Sequence, residues 1–169
     1  MSSVEFHKFR ENIKNINDYT DQKEKIFDNF IDQGLPNKRN ESWKYFDLTS
    51  KSKQYIKNDI SNSEIIVEDL EEKNIFYDYA DNNLSIEDYF KPCNFFKSES
   101  VVDLNVACGN QIKILDIKHT QNEPITIKID HNGKNISLPR LIINIAENVK
   151  AKINYVNSTK NGVLYLFVD

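Results

Sequence analysis

Glycine and proline are scarce, at four each in 169 residues, and no two of the glycines lie close together. This spacing excludes a glycine-rich loop that cradles phosphates, and no Gly-x-Ser-x-Gly nucleophile elbow occurs. Two cysteines, Cys93 and Cys108, are too few for a disulfide framework and share no short spacing suited to iron–sulfur or zinc ligation. The three histidines, His7, His119 and His131, are dispersed. His119 and His131 flank turns, where a solvent-exposed ring is the expected outcome. No apolar run approaches the length of a membrane span, and no basic flank followed by an apolar run opens the chain. These absences lead to the expectation of a cytoplasmic chain that binds no membrane, performs no catalysis and holds no metal or cofactor of its own.

A strong charge of one sign is missing too. The net charge is −4, and no stretch is basic enough to predict nucleic-acid binding. The distribution is uneven, however: residues 61–90 carry one base, Lys73, against nine acids. Such a run reads as a solvated face or linker.

What is present suffices for a core, with 39% hydrophobic and 11% aromatic residues. Phe6, Phe9, Ile13 and Ile16 recur at helical spacing, and a second helix is predicted from Thr20 or Asp21, where Asp21 and Glu24 fit a capping box. Its apolar stripe is Ile26, Phe27, Phe30 and Ile31. Gly34 stands where a left-handed residue ends a helix, and Pro36 prevents continuation. Facing stripes on two short helices predict a helical hairpin.

Glu64–Val67 and Ile75–Tyr79 read as short strands separated by an acidic turn. Further on, Ile112–Ile117, Ile125–Ile129, Leu138–Ile145, Ala151–Val156 and Val163–Phe167 are strand-like runs divided by turn signals. Regular short strands suit a sandwich, a barrel or a β-solenoid, and periodicity does not choose between them.

Three ordered segments supply a further clue. The first contains Gly34, Leu35, Pro36, Arg39, Glu41, Trp43, Lys44, Tyr45, Asp47 and Leu48. The second contains Leu104, Asn105 and Ala107. The third runs from Pro124 before Ile125 to Pro139 and Arg140, which precede an aliphatic strand, a short turn and a second strand. In this order they resemble the N-terminal portion of the SufD proteins of the SufB/SufD family, components of the SUF iron–sulfur cluster assembly system. The strand after the last turn departs from the family where relatives carry a Glu, and Cys108-Gly109 stands in place of a larger residue.

The resemblance implies an α+β architecture: an N-terminal helical hairpin region followed by the first coils of a right-handed parallel β-helix. It divides the chain into a helical region with connector (1–60), an acidic α/β linker region (61–100) and the opening of the core (101–169). It also implies a scaffold working with SufB- and SufC-type subunits, the SufC docking region being absent here. The iron–sulfur clusters and the ATP belong to the family complex, ATP on its SufC-type subunit. The motif residues themselves read as structural, with Trp43 pinning the helices to the β region.

Two other functions are compatible with the residues: an independent β-solenoid interaction module, and a carbohydrate-active β-helix enzyme. The latter needs paired carboxylates in a groove, commonly with calcium, and Asp103, Asp116, Glu123, Asp130, Glu147 and Asp169 form no cluster in sequence.

Overall fold

A computed structural model describes residues 10–11, 21–37, 39, 45, 60–79, 100–109, 111–133, 135–159, 163–164 and 167–168. They comprise helices α1 (Asp21–Gln33) and α2 (Ser100–Cys108) and nine strands: β1 (Glu64–Glu68), β2 (Ile75–Asp78), β3 (Gln111–Ile117), β4 (Ile125–His131), β5 (Ile136–Ser137), β6 (Pro139–Ile145), β7 (Ile153–Thr159), β8 (Val163–Leu164) and β9 (Phe167–Val168). The expected first helix, apart from Arg10 and Glu11, lies outside the described residues.

Helix α1 forms for local reasons. Asp21 and Glu24 place negative charge in its first turn, where the helix dipole favours it. Phe27 and Phe30 are buried on one face, with ring centroids 5.8 Å apart. The amide of Gly34 donates to the Phe30 carbonyl at 2.7 Å, and its φ of 68° is the left-handed conformation that closes a helix without a Cβ penalty.

Two mixed sheets and a parallel ribbon carry the β residues, in orders β1-β4-β7, β2-β3-β6-β9 and β5-β8. Pairs β3·β6 and β4·β7 are parallel, with Gln111 opposite Pro139 and Ile125 opposite Ile153, a common offset of 28 residues. Alternation along β4 places Ile125, Ile127 and Ile129 inward, where they meet Leu115, Ile117, Leu141 and Ile65 in one apolar core. A second core joins the helices to the sheets: Phe27, Phe30 and Leu35 pack with Val101, Leu104, Ala107, Cys108, Ile136 and Leu138.

This architecture corrects the expected fold class. The described residues form a small α+β domain of mixed sheets, and not a helical hairpin leading into a uniformly parallel right-handed β-helix. Strands β1 and β2 pair antiparallel with β4 and β3. The physical reason lies in the connection between them. Six residues separate Glu68 from Ile75, and the chain visits the sheet of β4 first and that of β3 second, the reverse of the order in which β3 and β4 follow, so both strands run against their neighbours. Asp69, at φ 61°, turns the chain directly after β1, and β2 joins the other sheet. The described partner of α1 is α2, which lies far along the sequence.

Polar side chains hold the turn between β1 and β2. Asn74 Oδ1 accepts from the amides of Lys118 and His119 at 2.9 and 3.0 Å, while its Nδ2 donates to Gln121 Oε1. Gln121 Nε2 donates in turn to the carbonyls of Asp69 and Glu123. Both side chains are buried, so these bonds satisfy their own amide groups.

Candidate functional site

Several of the described motif residues meet at one buried junction. Leu35 and Pro36 follow α1, Leu104, Asn105 and Ala107 lie on α2, and Pro139 and Arg140 open β6; all are buried. Asn105 Nδ2 donates to the carbonyls of Leu138 and Pro139 at 3.1 and 3.2 Å, tying α2 to the start of the strand. The amide of Gly109 donates to the Asn105 carbonyl at 2.7 Å and ends the helix. A Cβ at Gly109 would stand 2.4 Å from the Asn105 carbonyl oxygen and 3.1 Å from that of Leu138, so only glycine fits there.

Asp103, almost fully buried, accepts a hydrogen bond from Gln33 Nε2 at 3.3 Å. Burial pushes its carboxyl above the ordinary aspartate value, and the Gln33 bond works the other way. Burial raises the Cys108 thiol well above its usual value, opposed by the charge of Lys23. A thiol held neutral is a poor nucleophile and a poor metal ligand, so Cys108 acts as a small core side chain.

Other sequence-selected residues lie elsewhere. Arg39 is exposed, its amide donating to Asn37 Oδ1, and Tyr45 is 89% exposed. Glu41, Trp43, Lys44, Asp47 and Leu48 fall outside the described residues, as do Cys93 and His7. His119 is exposed, as its turn position predicts. His131 is not: it is wholly buried, with Nε2 3.0 Å from the Asn135 carbonyl oxygen. The alternation of β4 carries it inward with Ile125, Ile127 and Ile129, and this overrides the turn signals beside it.

Pro124 stands apart from the junction, on the wall of a cleft of about 570 Å³ that Asp69, Glu71, Glu123, Thr126 and Asn154 also line. The fold thus gathers carboxylates that are scattered in the sequence. Glu71 Oε1 accepts from the Asn122 amide at 3.1 Å, and Asp69 Oδ2 from Thr126 Oγ1 at 3.4 Å. These bonds brace the loops, and no serine, cysteine or histidine is among the lining residues.

A second feature lies at the far border of the sheets. Ile117 and Ile127 are 0% and 1% exposed, whereas their register partners Ile145 and Tyr155 are 51% and 44% exposed. Val156, on the opposite side of β7, is 47% exposed. Strand β7 carries no charged residue, and among the described residues nothing pairs with its outer edge. Edge strands of stable monomers usually carry charges, prolines or bulges that discourage pairing. The residue types here instead favour an added layer.

Among the described residues no three His, Cys, Asp or Glu side chains gather to hold a metal ion, and no helix is long and apolar enough to cross a membrane. The one described thiol, Cys108, is sealed in the helix–sheet core. Compared with protein-family models, with curated proteins and with solved structures, the chain matches none of them.

Proposed function

We propose that the chain is a non-catalytic scaffold of the SufD kind, contributing to iron–sulfur cluster assembly in a cytoplasmic complex with SufB- and SufC-type subunits. The observation that carries this reading is the junction. Leu35, Leu104 and Ala107, chosen from sequence for their resemblance to SufD proteins, pack in one core, and Asn105 bonds to the Pro139 carbonyl beside it.

The border formed by Ile145, Tyr155 and Val156 is the surface on which a SufB-type partner would pack. Covering a large apolar side chain fully is worth roughly 1.5–3 kcal/mol, so closing half-exposed Ile145 and Tyr155 supplies roughly 2 kcal/mol before any strand pairing. Clusters are cargo of the complex in this reading, and no chemical step is assigned to the chain.

Co-expression of the tagged chain with SufB- and SufC-type subunits from the same organism tests the proposal. Recovery of the SufB-type subunit with the chain is the expected result. Recovery of neither subunit, together with cluster assembly unaffected by deletion of the gene, would refute it.

A further inference from the structure

We draw no further inference here: the strongest candidate, the outer edge of strand β7 with Tyr155 and Val156, belongs to the partner surface already described, and nothing in the structure shows what else would cover it.

Discussion

Asn105 and Pro139 are joined by a hydrogen bond of 3.2 Å, from the side-chain amide of one to the carbonyl of the other. One lies in a helix and the other at the start of a strand more than thirty residues later. The same amide reaches the Leu138 carbonyl, so a single side chain satisfies two consecutive backbone acceptors in the core. Replacing Asn105 with Ala strands both carbonyls where water does not compensate. The expected loss is about 1–3 kcal/mol of stability, measured as a lower urea midpoint with an unchanged slope.

Two glycines are required for different reasons, and substitution separates them. At Gly34 the requirement is the positive φ, with no atom near the missing Cβ. Gly34→Ala should cost about 1–2 kcal/mol, and Gly34→Asn less, because Asn tolerates the left-handed region. At Gly109 the obstacle is backbone oxygen on two sides. Gly109→Ala should therefore cost about 1–3 kcal/mol as an overpacked site, and Gly109→Asn should be worse. Equal tolerance of Asn at both positions in urea titrations would contradict this division.

Asp103 gives the protein a characteristic pH response. Its carboxyl is raised in the folded state by burial, so the native protein holds this proton more tightly than the unfolded chain does. The contribution to stability is therefore present below the unfolded value of about 3.8 and is lost as pH rises through the folded one. Asp103→Asn retains an acceptor for Gln33 and removes the ionisation. The variant should gain stability relative to the parent as pH rises from 4 towards 7 (roughly that range, by the same linkage), read from urea midpoints across the series. A gap that narrows with rising pH would oppose the assignment.

Cys108 should be chemically silent while the protein is folded. In a Cys93→Ser background, a thiol reagent at mildly alkaline pH should label the native protein only at the rate of opening, and the denatured protein at once. Fast native labelling would place the thiol outside the core described for it.

Much of the secondary structure was legible because it rests on local chemistry. The helix start at Asp21, the stop at Gly34 and the alternation of Ile125, Ile127 and Ile129 all appear in the structure at those positions. The antiparallel border strands were not legible, because strand direction depends on which sheet receives the chain after Asp69. Helix α2 carried a signal that was available: Val101, Leu104 and Cys108 fall at helical spacing and all are buried. The polar residues that act as backbone surrogates left no trace. Ser63 Oγ donates to Ser137 Oγ at 2.6 Å, and Gln111 bonds both the amide and the carbonyl of Ser63, yet serine and glutamine are ordinary surface residues in sequence. The cleft beside Pro124 was equally hidden, since its carboxylates meet only when the β1–β2 turn folds against the β3–β4 turn.

The scaffold reading is tested most directly by sedimentation velocity of the purified chain with a purified SufB-type subunit from the same organism. The parent and a Tyr155→Lys, Val156→Lys variant would be compared, with circular dichroism used to verify that both are folded. The account predicts a stable complex for the parent and its loss in the folded variant. No complex with the parent, or an equally stable one with the variant, would contradict it.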